Sequence, residues 1–216
     1  MMNILSPQIL LTVVFLTLVF LHLARKNSGV LTAYGLQSLA IVLLLFASLA
    51  ETHSLSLLLV ALFTLLVKVI LAPLFFGRLI ARHRLTFSAS TYLNTPLTLI
   101  IISVLTATAY SQKLLPLTSI IPDHQALLAL AFSSLLLSLF LIVNRKGALS
   151  QIVGILSLEN SIVAFVIFSG LEQSPSLQLG IIFDIFVWLI IATVFVSMVY
   201  RHFSSLDVTA MKNLKD

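Results

Sequence analysis

The stretch GILSLENSIVAF, residues 154–165, places a carboxylate and an amide in the middle of a long apolar run. A charge at the centre of a bilayer-spanning helix costs at least ~2.5–3.5 kcal/mol on insertion scales. Two interpretations of Glu159 follow. Either this run does not cross a membrane, or the carboxylate has a function that outweighs its unfavourable insertion.

Composition decides in favour of a membrane. Hydrophobic residues make up 60% of the 216-residue chain and charged residues only 9%, and the mean hydropathy is +1.16. A soluble chain of this length needs more charge on its exterior. We therefore predict an all-α, polytopic integral membrane protein that forms a single membrane domain over residues 1–216.

Apolar runs of about twenty residues, the length that a bilayer requires of a helix, recur along the whole chain. Polar residues, glycine and proline separate these runs. The pattern predicts about seven transmembrane helices followed by a tail at 201–216. The predicted helices are 4–23, 29–50, 55–79, 91–112, 124–143, 147–170 and 176–200.

The basic residues are split between short loops, which argues against a nucleic-acid partner despite a net charge of +5. They follow the odd-numbered helices, at 25–26, 78–84, 145–146 and 201–215. The opposite loops hold Lys113, offset by Asp123, and the acids Glu51 and Glu172. The positive-inside rule therefore predicts an external N-terminus, a cytoplasmic C-terminus and an odd number of helices.

Three ionisable residues fall well inside predicted spans: Lys68, Glu159 and Asp184. Chained ionisable groups at this depth are typical of proton relays and ion sites. The alternative is a buried acid–lysine pair that only fixes helix packing. If its carboxyl is unpaired, Glu159 is a cost in lipid, and we expect alanine at this position to be tolerated.

Further polar residues support the relay interpretation. Ser157, Asn160 and Ser161 are expected to surround Glu159 and to hold water around its carboxyl. A second polar site, Gln37-Ser38, occupies the corresponding place in an internal echo, because residues 24–46 resemble residues 144–165 with a gap of two. The echo is either a parallel repeat of the kind found in transport folds or a chance likeness between apolar helices.

Proline is expected to disturb the helix that carries Lys68. Pro73 has no N–H to donate to the carbonyl of Val69, the residue after the lysine. We expect a kink there and a free acceptor beside the ammonium, at a place where water enters.

Other chemistries have no support in the sequence. The chain has no cysteine, and its five histidines fall near predicted helix ends without metal-ligand spacing on one face. No nucleophile elbow or phosphate-binding glycine loop is present. We therefore predict no metal, no cofactor and no catalytic site in this chain.

The chain resembles the E-type membrane subunit family of hydrogenase-4, which belongs to formate-hydrogenlyase-type and related group 4 [NiFe] hydrogenase complexes. The likeness runs almost end to end. It rests on LQSL (36–39), VKVILAPL (67–74), LENS (158–161), FDIFVWLI (183–190) and SLDVTAMKNL (205–214). The last three predicted helices, residues 124–200, are also similar to the small K-type subunit of respiratory complex I, which leaves a four-helix part at 1–123.

The resemblance implies a role that the residues alone do not name. It implies a subunit without redox cofactor in a bacterial or archaeal inner membrane. Its neighbours would be antiporter-like subunits, arm-anchoring subunits and a peripheral hydrogenase or related oxidoreductase arm. Glu159 and Asp184 would occupy the positions of the membrane-embedded carboxylates of the K-type subunit. The chain departs from the family pattern at two positions. The second acid, Asp184, is an aspartate rather than a glutamate, and the polar residue of the first half, Gln37, has no titratable proton.

The leading hypothesis is therefore a non-redox subunit of an ion-pumping respiratory complex. In it, Glu159 and Asp184 form a proton route with Lys68 as a modulating charge. A stand-alone secondary transporter and a structural spacer subunit without its own proton path are the alternatives.

Overall fold

The computed structural model describes residues 6–83, 90–114, 124–169 and 190. The tail at 201–216, Asp184 and the predicted seventh helix apart from Ile190 lie outside these ranges. The described residues contain helices and no named strand, which confirms the all-α class. In chain order the elements are α1 (Pro7–Leu23), α2 (Asn27–Thr52), α3 (Leu55–Thr64), a π-helical segment (Leu65–Leu71), α4 (Ala72–His83), α5 (Thr95–Ala109), a 3₁₀ turn (Gln112–Leu114), α6 (Gln125–Asn144) and α7 (Ala148–Phe168).

Four helical stretches are long and apolar enough to cross a membrane. They are Asn27–Ala50, Leu57–Arg78, Gln125–Asn144 and Leu149–Phe168. The second comprises most of α3, the π-helical segment and part of α4, which follow one another without a break. α1 and α5 are apolar but shorter.

α5 begins at Thr95, not at residue 91 as the hydropathy pattern predicts. The Asn94 side chain accepts a hydrogen bond from Leu97 N at 3.0 Å and so caps the helix. Before it, Thr91 pairs with Arg145 in an isolated antiparallel bridge, and the Asn94 backbone is extended. The α5 helix is therefore only about 22 Å long at ~1.5 Å rise per residue.

Two helical hairpins form the centre of the described fold. α1 packs on α2 and α6 on α7, and the hairpins lie side by side with α1 against α6 and α2 against α7. The α3–π–α4 rod packs against α2, and α5 packs against α6. The shared core is apolar and includes Leu18, Ile41, Leu137 and Val153, each less than 2% exposed.

The two hairpins run in the same direction. The Arg145 guanidinium, just after α6, donates to the carbonyl of Leu21 near the end of α1. Nearby, His22 Nε2 lies 3.0 Å from the carbonyl oxygen of Leu137. Because the C-terminal ends of α1 and α6 meet, these two helices are parallel, and so are α2 and α7.

The same contacts bring three groups of basic residues to one end of the bundle. Arg25-Lys26 and Arg145-Lys146 flank the meeting point of the two hairpins. Arg78 of α4 lies at this end as well, because a Cβ on its neighbour Gly77 would be 3.8 Å from Leu31 near the start of α2. Lys113 follows α5 at the opposite end. Three groups of described basic residues thus lie at one end of the bundle, and Lys113 lies at the other.

Candidate functional site

Lys68 sits on the π-helical segment rather than on a regular α-helix. This segment, Leu65–Leu71, has seven residues, and Ala72 N donates to the carbonyl of Val67 five residues before it. Pro73 comes directly after, and its ring nitrogen has no proton to donate to the preceding turn. A π-bulge turns the following residues relative to an α-helix and occurs often at functional sites. The expected disturbance at Pro73 therefore takes the form of a π-helical stretch that carries the lysine.

The ammonium of Lys68 forms an ion pair with Glu159 of α7. Lys68 Nζ lies 3.1 Å from Glu159 Oε1, with the lysine side chain 1% exposed and the glutamate side chain 17% exposed. Lys68 Nζ also donates a hydrogen bond of 2.9 Å to Asn160 Oδ1. The α3–π–α4 rod and α7 are thus joined by a charge pair and a charge-assisted hydrogen bond.

Asn160 extends this contact to α2. Its Nδ2 donates to Ser38 Oγ at 3.1 Å and lies 3.5 Å from Gln37 Oε1. Asn160, Gln37 and Ser38 are all 0% exposed. The two polar pairs of the internal echo, Gln37-Ser38 and Glu159-Asn160, therefore meet side by side on parallel helices. We call the group Gln37, Ser38, Lys68, Glu159 and Asn160 the polar cluster.

Three helices independently place the polar cluster near mid-depth. At ~1.5 Å rise per residue, Gln37 is about 15 Å from Asn27 at the start of α2. On the same rise, Asn160 is about 18 Å from Ala148, and Lys68 about 15 Å from Arg78. These starting points lie at the basic end of the bundle, and the hydrocarbon core of a bilayer is ~30 Å thick. Lys68 therefore cannot reach an aqueous interface and depends on its partners inside the bundle.

The serines of α7 have different surroundings. Ser161 donates to the Ser157 carbonyl at 3.0 Å, and its Oγ lies 3.0 Å from Ser138 Oγ on α6. It thus links α7 to α6. Ser157 is 0% exposed, and its hydroxyl has no hydrogen-bond partner among the described residues.

Tyr34 belongs to the surroundings of the polar cluster and was missed by the sequence analysis. It is 0% exposed, lies one helical turn before Ser38, and interacts electrostatically with Glu159. The signal was available, because residues three and four apart share a helix face and Tyr34 precedes Gln37 and Ser38 by those spacings. An aromatic residue is ordinary in an apolar helix, so Tyr34 does not stand out in the sequence as the charged residues do.

A second buried polar group lies at the basic end. His22 is 3% exposed, stacks on Phe140 with ring centroids 4.9 Å apart, and faces the Leu137 carbonyl. A carbonyl only accepts, so His22 Nε2 carries the proton. His22 is therefore a packed core residue, not an interfacial one. Burial lowers the pKa of the neighbouring Arg145 to about 10, which leaves its guanidinium charged at neutral pH.

The described residues contain no group of three His, Cys, Asp or Glu side chains that could hold a metal ion. What the polar cluster offers instead is one titratable acid paired with one titratable base in surroundings of low dielectric. Among the predicted site residues, Lys68, Glu159, Asn160 and Gln37 come together, and Asp184 lies outside the described ranges.

Comparisons with protein-family models, with curated proteins and with solved structures found no significant match.

Proposed function

We propose that this chain is a non-redox membrane subunit of an ion-pumping respiratory complex related to complex I and the group 4 hydrogenases, and that it contributes to proton translocation. The observation that carries the proposal is the ion pair between the buried Lys68 and the partly buried Glu159 near mid-depth. Intramembrane ionisable residues are costly and mark ion or proton pathways by default. The family and the partners come from the sequence resemblance.

The chemistry follows from the geometry of the pair. When Glu159 accepts a proton, its neutral carboxyl no longer balances the charge of the ammonium. Lys68 then retains its hydrogen bond to Asn160 Oδ1. Release of that proton restores the ion pair. The 17% exposure of Glu159 leaves part of its side chain open at the surface of the chain, whereas Lys68 is enclosed. In this proposal Glu159 is the group that exchanges protons, and Lys68 is its counter-charge.

The same proposal includes an orientation. The basic end of the bundle would face the cytoplasm of a bacterium or archaeon, with an external N-terminus and, across seven helices, a cytoplasmic C-terminus. Asp184 would provide the second carboxyl of the route. Antiporter-like and arm-anchoring membrane subunits, and through them a hydrogenase or related arm, would be the neighbours.

Affinity purification tests membership of such a complex. The tagged chain is extracted from native membranes in a mild detergent, and the proteins that remain bound are identified by mass spectrometry. The proposal expects antiporter-like subunits and subunits of an oxidoreductase arm in constant proportion to the tagged chain. Recovery of the chain only as a monomer or homo-oligomer would support a stand-alone transporter instead.

One observation also favours a structural spacer. Lys68 and Asn160 together tie the α3–π–α4 rod, α7 and α2 to one another, which alone would fix helix packing. The two roles differ in what Glu159→Gln does. Glutamine keeps an oxygen acceptor for the ammonium but carries no titratable proton, so a spacer keeps full proton translocation and a relay loses it.

A further inference from the structure

Three buried polar atoms beside the polar cluster have no hydrogen-bond partner among the described residues. They are the hydroxyl of Tyr34, Nε2 of Gln37 and the hydroxyl of Ser157. Each of these side chains is 0% exposed. Buried polar groups without a partner are rare in native structures, and where several converge, an ordered water molecule commonly satisfies them.

The helix register brings these three groups together. α2 and α7 are parallel, and Asn160 contacts Gln37 and Ser38 across their interface. Tyr34 lies three residues before Gln37, and Ser157 three residues before Asn160, so both lie one turn towards the basic end on the facing sides of the two helices. Tyr34 and Ser157 therefore lie at about the same level, one turn from the contact between Gln37 and Asn160.

The orientation of the Gln37 amide is fixed by its neighbour. Asn160 Nδ2 is a donor, so the Gln37 atom that faces it must be the acceptor Oε1, which leaves Nε2 pointing elsewhere as a donor. The Tyr34 hydroxyl lies close to Ser38 and interacts electrostatically with Glu159, yet it does not meet hydrogen-bond geometry with any described residue. One amide donor and two hydroxyls, each able to donate or accept, are a suitable set of partners for water.

We infer that α2 and α7 enclose a hydration site, in which Tyr34 Oη, Gln37 Nε2 and Ser157 Oγ bind ordered water beside the polar cluster. Three partners match the usual number of hydrogen bonds of a buried water molecule. The inference deepens the proposed function, because ordered water beside the polar cluster can accept and pass a proton. The amide of Asn160, by contrast, holds Lys68 and is not a proton carrier. The existence of the water itself does not depend on the proposed function.

X-ray hydroxyl-radical footprinting tests the site in the unaltered chain, purified in detergent with the proteins that accompany it. Radicals formed from a bound water oxidise the side chains that touch it, whether or not these reach bulk solvent. Tyr34 and Phe76 are both aromatic and 0% exposed, so Phe76 serves as the dry reference. We expect Tyr34 to be oxidised at least tenfold faster than Phe76. Equal rates for the two rings would overturn the inference.

Two matched variants assign the site to its residues. Ser157→Ala removes one proposed water ligand, and we expect the oxidation rate of Tyr34 to fall at least threefold. Ser133→Ala is the control, because Ser133 is also 0% exposed but its hydroxyl donates to the Ala129 carbonyl at 2.8 Å. Unchanged Tyr34 oxidation in Ser157→Ala, or an equal fall in both variants, would overturn the assigned site.

The footprint and the proton assay separate the two proposals. Rapid oxidation of Tyr34 together with full proton translocation by Glu159→Gln keeps the hydration site and removes the proton route. Loss of translocation in Glu159→Gln, together with Tyr34 as unreactive as Phe76, supports the proton route and rules out the hydration site.

Discussion

Replacing Glu159 by alanine removes the counter-charge of an ammonium that is only 1% exposed. At 3.1 Å separation and an effective dielectric constant of about 20, the Coulomb attraction is ~5 kcal/mol. Measured losses for removing one partner of a buried pair are ~3–5 kcal/mol, because the remaining charge stays buried without compensation. We therefore expect Glu159→Ala to lower the free energy of unfolding by ~3–5 kcal/mol.

A double-mutant cycle isolates the pair from the cavity that alanine leaves. Lys68→Met removes the charge that Glu159→Ala leaves behind, so the double variant should be more stable than Glu159→Ala alone. We expect a coupling energy of about 2 kcal/mol, within the range measured for residues in contact. The assay is denaturant unfolding in detergent micelles, followed by helical circular dichroism. A coupling energy of less than about 0.5 kcal/mol would refute an ion pair that contributes to stability.

Three further predictions test the surrounding structure. Pro73→Ala should let the π-helical segment return to α-helix. Because a shift of one residue turns the lysine by about 100°, the ion-pair coupling energy should fall to near zero. An unchanged coupling energy would contradict this role of the proline. Gly154→Ala should lower the unfolding free energy by ~1–3 kcal/mol by overpacking, because its Cβ would lie 2.9 Å from a side-chain atom of Ile142 and 3.3 Å from its backbone nitrogen. The control Gly29→Ala has its nearest contact at 3.8 Å and should be neutral or slightly stabilising, so equal losses in both would argue against the close α6–α7 approach. A topology reporter fused after Asp216 should be active only in its cytoplasmic form, and periplasmic activity would reverse the proposed orientation.

The helices could be predicted from the sequence because lipid imposes a simple requirement. A spanning segment must be apolar and helical along its whole length. Hydropathy alone therefore locates the six predicted helices that fall in the described residues, of which four are long and apolar enough to cross a membrane. It fails where polar contacts decide the boundary. The predicted helix includes residues 91–94, but Thr91 pairs with Arg145, and Asn144 Oδ1 accepts from Leu93 N at 3.1 Å.

The site was predictable in its members but not in its geometry. Charge in an apolar run identified Lys68 and Glu159, and the internal echo identified Gln37. Their direct contact through Asn160 depends on how two hairpins pack, which no local pattern encodes. The expectation that alanine is tolerated at position 159 was wrong in its premise, because the carboxyl is paired with Lys68.

The π-helical segment and Tyr34 show two further limits. Pro73 indicated a disturbed helix, yet a kink and a π-bulge have the same sequence signature, and only tertiary packing selects between them. Tyr34 is an ordinary apolar-helix residue by composition. Only the structure shows that its hydroxyl is buried and has no hydrogen-bond partner among the described residues.

Proton translocation by the Glu159→Gln variant tests the central claim most directly. The complex that contains the variant is reconstituted into proteoliposomes, and the acidification linked to electron flow is measured against the unaltered chain and Ser133→Ala. We predict that the Glu159→Gln complex assembles but moves few protons for each electron transferred, while Ser133→Ala matches the unaltered chain. Full translocation by an assembled Glu159→Gln complex would contradict the account and leave this chain a structural spacer.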